Sequence, residues 1–313
     1  MGKIILFYKY VAIEQPETIK VWLTQLCADL GLTGRIILAQ EGINSTVGGS
    51  DTAIATFIET MNNHELFGNI DFKDASGDEN YFPRMRISIK NEIVHLGIDP
   101  KTLTAQQGGK HLTPQEAHDL ISKKPENLVL IDTRNNYEAR IGTIPGSMIP
   151  DKRYFREFPE YIDQNLDKLK DKQVLMYCSG GIRCERASAY VKEKGIAREV
   201  YQIEGGIHRY IEQFPNGHFK GSYYVFDGRV SIKASDDILT NCDLCSVPCD
   251  FYVNCMNGLC NKQFIACTEC IKNYAESCSA TCKELMETKQ VPIRKRPVLA
   301  VDQRLELLET PTK

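Results

Sequence analysis

Residues 174–184 read Val-Leu-Met-Tyr-Cys-Ser-Gly-Gly-Ile-Arg-Cys, and a helical pattern follows from Glu185 to Lys194. An apolar strand, a two-glycine loop and a helix start are forced into one short stretch. A loop that curls from strand end to helix start turns its backbone N–H groups inward, and the helix N-terminus adds positive potential. Gly180 and Gly181 allow the backbone angles this needs. A thiol at the centre, Cys178, would ionise readily, and the thiolate is the reactive form. Arg183 can add a fixed positive charge. The competing reading is an inert buried cysteine at the end of a core strand; the Gly-Gly pair, the arginine and the helix start favour the reactive site.

Cys178 to Arg183 spans Cys-x4-Arg, with Ser179, Gly180, Gly181 and Ile182 between them. This loop resembles the active-site loop of rhodanese domains. Upstream, Val129-Leu130-Ile131-Asp132-Thr133-Arg134, Tyr137-Glu138 and Gly142-Thr143-Ile144-Pro145-Gly146-Ser147 resemble that family's opening motif. Downstream, Val200-Tyr201-Gln202-Ile203-Glu204-Gly205-Gly206 resembles its closing strand and glycine pair. The resemblance implies an α/β domain with a parallel sheet and a catalytic Cys178 that carries a covalent sulfur state. Phosphatases of the same fold resemble Cys-x5-Arg, one residue longer, so a phosphate fits this loop poorly. Cys184 is either a resolving thiol that forms a disulfide with Cys178 or a small residue packing the first helical turn.

The 313 residues allow two or three domains. A net charge of −3 excludes a uniformly basic surface but not a local patch. No apolar run approaches the length of a membrane span. The N-terminus lacks the features of a signal peptide, so a cytoplasmic location is expected, with most of the 12 cysteines reduced.

In the N-terminal part, residues 3–11 read as a strand and Pro16 to Leu30 as a helix. Arg35–Gln40 and Asn44–Gly48 read as a strand pair around Glu41-Gly42. A helix capped by Asp51 follows, then strands over Asn69–Ala75 and Arg84–Val94. This β-α-β-β-α-β order predicts a ferredoxin-like (acylphosphatase-like) domain. Alternation places Arg84, Arg86, Ser88 and Lys90 on one strand face, with Tyr81 and Phe82 beside it. That face is either an RNA contact or an ordinary solvated surface. Arg153 and Arg156, in Lys152-Arg153-Tyr154-Phe155-Arg156, together with His208 and Arg209, are further candidates for guiding RNA.

Nine of the 12 cysteines fall between Cys242 and Cys282. Two Cys-x2-Cys knuckles suggest tetrahedral zinc. The expected grouping is Cys242, Cys245, Cys267 and Cys270 in one site and Cys255, Cys260, Cys278 and Cys282 in a second, cross-braced one, with Cys249 left over. Reduced thiols or adventitious disulfides are the alternative, and an iron–sulfur cluster lacks its usual spacing. Arg294-Lys295-Arg296 is a small basic cluster in the tail. The expected divisions are 1–98, a linker over 99–110, 111–226, a Cys-rich segment over 227–290, and a flexible tail over 291–313.

The whole arrangement resembles the bacterial tRNA uridine hydroxylase family. Glu41-Gly42-Ile43-Asn44, the Cys178 loop, Cys242-Asp243-Leu244-Cys245 and Asn254-Cys255-Met256-Asn257 carry the likeness. It implies oxygen-dependent conversion of the wobble uridine, tRNA position 34, to 5-hydroxyuridine, with Cys178 essential and a tRNA anticodon stem-loop as partner. No flavin, haem or NAD motif is present. Sulfur transfer from Cys178 and a non-catalytic RNA-binding scaffold are the rival functions.

Overall fold

The computed structural model describes residues 2–77, 82–227 and 229–294. The chain divides into two compact units: 1–136 with 146–218, and 137–145 with 219–313.

The first unit begins with β1 (Gly2–Tyr10), α1 (Pro16–Asp29), β2 (Thr33–Ala39), β3 (Gly42–Ser50), α2 (Asp51–Asn63), β4 (Lys73–Gly77) and β5 (Met85–Ile89). The sheet order is β4-β1-β3-β2-β5. Its first four strands are the expected ferredoxin-like arrangement; β5 adds a parallel edge, with Ile36 opposite Ile87. Period-two alternation sends Ile5 and Phe7 of β1 into a core with Leu23, Ile43 and Phe57. Burying such a side chain contributes about 2 kcal/mol. Leu6, Tyr8 and Tyr10 point to the opposite face of the sheet, a fact that matters below.

Several boundaries differ from the sequence reading. The cap of α2 is Ser50, whose hydroxyl accepts from the Ala53 amide at 3.2 Å; Asp51 is already helical. β4 starts at Lys73 rather than Asn69, and β5 stops at Ile89 rather than Val94. Beyond Lys90 the backbone bonds to side chains instead: the Ile93 amide donates to Glu41 Oε1 at 2.8 Å and its carbonyl accepts from Asn44 at 2.9 Å.

β6 (Lys110–Leu112), α3 (Pro114–Lys123) and β7 (Leu128–Asp132) follow. Thr113 and Glu116 form a capping box on α3. The chain then passes into the second unit through α4 (Asn136–Ile141) and β8 (Gly142–Thr143). It returns for α5 (Phe158–Asp163), α6 (Leu166–Leu169), β9 (Gln173–Tyr177), α7 (Ile182–Glu193), β10 (Glu199–Ile203) and α8 (Gly206–Gln213). The sheet is β6-β10-β9-β7, parallel throughout. Residues such as Ile131, Val174, Met176 and Val191 fill its core. α7 starts at Ile182, three residues before the predicted start, so Arg183 and Cys184 lie in its first turn.

The second unit adds β11 (Lys220–Tyr224), β12 (Ser231–Lys233), β13 (Tyr252–Asn254), β14 (Gln263–Ile265), α9 (Thr268–Asn273) and α10 (Ala280–Glu287). Its small core mixes Ile141, Val253 and Phe264 with cysteines. Among the described residues no helix is long and apolar enough to cross a membrane.

Candidate active site and cysteine clusters

β9 delivers Cys178 to the carboxyl end of the parallel sheet, where loops gather in α/β folds. Gly181, at φ +101°, turns the chain so that its N–H donates to Cys178 Sγ at 3.1 Å. The amides of Arg183 and Cys184 also point at the sulfur. The loop's carbonyls are drawn the other way. The Ile207 amide takes the Cys178 carbonyl at 2.9 Å, and the His208 amide takes that of Ser179 at 3.0 Å. The N-terminus of α8 therefore holds the loop with its donors inward. This accounts for the Gly205-Gly206 pair: a Cβ on Gly206, at φ +67°, would stand 2.5 Å from the Cys178 carbonyl oxygen.

Burial alone would push the Cys178 thiol up. The Cys184 thiol, the Arg183 charge and the loop amides outweigh it and pull Cys178 down to about 5, so the group is a thiolate at neutral pH. Cys184 is driven the opposite way by burial and by the neighbouring thiolate, so it keeps its proton and donates it to Cys178. Thr133 Oγ1 lies 3.5 Å behind Cys184 and 3.0 Å from the Tyr177 carbonyl. Arg183 reaches Ser179 Oγ at 3.4 Å. Beneath the loop, Asp132 and Arg134 form a fully buried ion pair at 2.6 Å.

Cys178 is 0% exposed and belongs to the apolar core cluster of its sheet, yet the amides of Gly181, Arg183 and Cys184 point at its sulfur. Its cover comes from the helix-free face of the first sheet. Leu6 lies against Gly180, the Tyr8 hydroxyl against Gly181, and Tyr10 donates to the Ile182 carbonyl at 3.3 Å. None of these residues was singled out in the sequence, because nothing local distinguishes this face of β1 from any other strand face. Arg186 was likewise hidden, and so was the role of Glu41, which the sequence marked only as part of a family motif. Arg186 of α7 is buried against Glu41 at 2.8 Å and the Ile98 carbonyl at 2.7 Å. The Glu41-Gly42-Ile43-Asn44 motif is thus a clamp: Glu41 and Asn44 grip Ile93, Ile43 fills the core, and a Cβ on Gly42 would stand 2.0 Å from the Lys9 carbonyl oxygen.

The candidate RNA contacts are dispersed. Arg84 and Lys90 flank β5 and Arg86 lies within it, all three exposed. Tyr81 lies outside the described residues, as do Lys295 and Arg296. Arg153 and Arg156 stand 5.8 and 4.5 Å from the exposed Tyr154 ring. Arg209 is held by Asp71 at 2.5 Å and Glu212 at 2.8 Å, and His208 by Glu212 at 3.2 Å. Arg294 bonds the Cys260 carbonyl at 2.8 Å.

In the second unit the sulfurs of Cys242, Cys245, Cys267 and Cys270 lie within 4.8 Å of one another, as do those of Cys255, Cys260, Cys278 and Cys282. Individual separations are 3.6 Å for Cys245–Cys267 and 3.8 Å for Cys260–Cys278 and Cys278–Cys282. A tetrahedron with metal–sulfur bonds of about 2.3 Å has edges of about 3.8 Å. Four thiolates this close repel unless a cation sits among them, so each donor set suits a metal ion. The two sets interleave along the chain. Cys249 joins neither; burial pushes its thiol up to about 11.

Three family models match in succession: a UPF0176 acylphosphatase-like domain over residues 2–93, a rhodanese-like domain over 113–213, and a rhodanese C-terminal domain over 220–283. A protein of Arthrobacter sp. (strain FB24) named tRNA uridine(34) hydroxylase is 38% identical, covering 86% of this chain and 94% of its own. One of the same name from Corynebacterium jeikeium (strain K411) is 38% identical and covers 90% of this chain and 92% of its own. Another, from Bacillus pumilus (strain SAFR-032), is 34% identical and covers 98% and 96%. With this likeness covering 86–98% of its length, the chain belongs to the tRNA uridine(34) hydroxylase family.

Proposed function

We propose that this protein converts uridine 34 of tRNA to 5-hydroxyuridine, with molecular oxygen as co-substrate and Cys178 as the covalent cysteine. The observation that carries this reading is the ionised, amide-lined Cys178 beneath the helix-free face of the first sheet, in a chain with these relatives. The Cys178 thiolate adds to uracil C6; the S–C6 bond forms and the C5=C6 electron pair moves to C5 and the O4 enolate. C5 then attacks oxygen and, with one proton, becomes a hydroperoxide. The Cys184 thiol takes its distal oxygen, leaving C5–OH and a sulfenic acid. Loss of the C5 proton expels Cys178 and restores the double bond. Cys178 and the sulfenic acid condense to a disulfide and water, and an external thiol resets the pair. The sum is uridine, oxygen and two thiols giving hydroxyuridine, a disulfide and water.

Arg84, Arg86, Lys90, Arg153 and Arg156 are proposed contacts for an anticodon stem-loop; Arg209, already neutralised by two carboxylates, contributes through fold rather than phosphate. Zinc is the proposed metal of both cysteine clusters, where it supplies folding energy that a small core lacks.

Mass spectrometry of tRNA nucleosides from a deletion strain tests the function. Loss of hydroxyuridine-derived nucleosides, restored by the wild-type chain and not by Cys178→Ser, is expected. An unchanged profile, together with sulfur transfer from thiosulfate to cyanide by the purified protein, overturns it in favour of a sulfurtransferase. Normal modification by Cys178→Ser leaves only a scaffold role.

A further inference from the structure

The mechanism proposed above leaves one proton without an acceptor, the one on C5 that must depart before Cys178 is released. A continuous hydrogen-bonded chain lies beside the loop. The Tyr8 hydroxyl, against Gly181, donates to Glu185 Oε1 at 3.1 Å. His111 Nε2 meets the same oxygen at 3.0 Å. Gln202 fixes the other carboxylate oxygen at 3.0 Å while also bonding the Gly109 carbonyl at 3.1 Å. Burial falls along this chain: the Glu185 side chain is 12% exposed and that of His111 48%. A cleft of about 560 Å³ opens alongside, lined by Tyr8, Tyr10, Lys73, His111, Glu185 and Glu204 among others.

We propose that Tyr8, Glu185 and His111 are a proton relay from C5 of the Cys178-bound pyrimidine into this cleft and on to solvent. This inference rests on the hydroxylase reading. As the C5–H bond breaks, its electron pair reforms C5=C6 and the S–C6 pair returns to Cys178. The proton passes to the Tyr8 oxygen as the Tyr8 proton passes to Glu185; His111, whose Nε2–H donates to that carboxylate, sheds its Nδ1 proton to water as the carboxylate is neutralised. Tyr8 touches the base and is the catalytic member; Glu185 and His111 act through it. Burial and Glu185 raise the Tyr8 hydroxyl far above its ordinary range, so it holds its own proton until Glu185 accepts it. His111 is raised chiefly by its bond to Glu185, so its charge is tied to that carboxylate and falls away once Glu185 takes a proton.

The test compares wild type, Tyr8→Phe and His111→Gln on a uridine-34 tRNA under oxygen, scoring product and denaturant-stable protein–tRNA adduct. Tyr8→Phe is expected to slow turnover about 100-fold and to accumulate an adduct at Cys178, because the S–C6 bond cannot break while C5 keeps its proton. Deuterium at C5 then slows that variant further. His111→Gln, at an exposed end where the fold does not depend on it, is expected to be slower and to recover with added imidazole. Tyr8→Phe at the wild-type rate, slow turnover without adduct, or no imidazole rescue overturns the relay. Absence of product with wild type overturns the function reading instead.

Discussion

Arg186 Nη1 lies 2.8 Å from Glu41 Oε2, and the Arg186 side chain is wholly buried. The contact joins the turn between β2 and β3 to the helix that carries Arg183 and Cys184, so the cover of the loop is tied to the loop's own helix. Glu92 stands 3.5 Å from the same guanidinium. Burial raises the Glu41 carboxyl despite the Ile93 amide and Arg186, so the pair secures geometry more than stability. Arg186→Met strands two buried carboxylates and should cost about 3–5 kcal/mol; adding Glu41→Gln should recover part of it. Urea unfolding of the full chain measures both, and an unchanged midpoint for Arg186→Met contradicts the clamp.

The Cys178 thiolate should be visible in solution. The ultraviolet thiolate band, taken as the difference between wild type and Cys178→Ser, should rise with a midpoint near pH 5. Because the folded value lies below the unfolded thiol's, at about 8.5, this group stabilises the fold fully above that pH. Its contribution is lost progressively as pH falls toward the folded midpoint.

Cys184→Ala removes the thiol that donates to Cys178. The thiolate midpoint should move upward. Product should fall below one per chain in a single turnover without added thiol, whereas wild type gives one and gains an intramolecular disulfide. A titration curve identical to wild type counts against the paired-thiol geometry.

Gly206→Ala should damage the loop without touching the sulfur, since its Cβ would meet the Cys178 carbonyl oxygen and the Gly181 nitrogen at 2.5 and 2.7 Å. Activity is expected to fall at least tenfold, with stability lower by about 1–3 kcal/mol. Chemical denaturation and product assays on one preparation separate the two effects.

Protein purified under reducing conditions should carry two zinc ions by elemental analysis. Cys242→Ser and Cys255→Ser should each remove one, and a strong chelator should unfold the second unit. Full structure in the metal-stripped chain, read by amide exchange in β13 and β14, speaks against a structural metal.

The cysteine loop and the two cysteine sets were legible because their chemistry is written in local spacing: a strand, a glycine pair and a helix for one, cysteines separated by two to four residues for the others. The ferredoxin-like order of elements followed from hydrophobic periodicity for the same reason. The cap at Ser50, the helix start at Ile182 and the end of β5 were missed by a few residues; at β5 the reason is that Glu41 and Asn44, far away in sequence, take the backbone groups of Ile93.

Sequence alone determined which sulfur sits in the glycine-rich loop and which strand and helix hold it. Only the tertiary structure decided what covers it and what stands beside it. Leu6 and Tyr8 meet residues 180–185, and His111 meets Glu185 across 74 positions of chain. Contacts of that range arise when a whole sheet face packs against a loop. No periodicity in β1 distinguishes a face that meets the Cys178 loop from one that meets water.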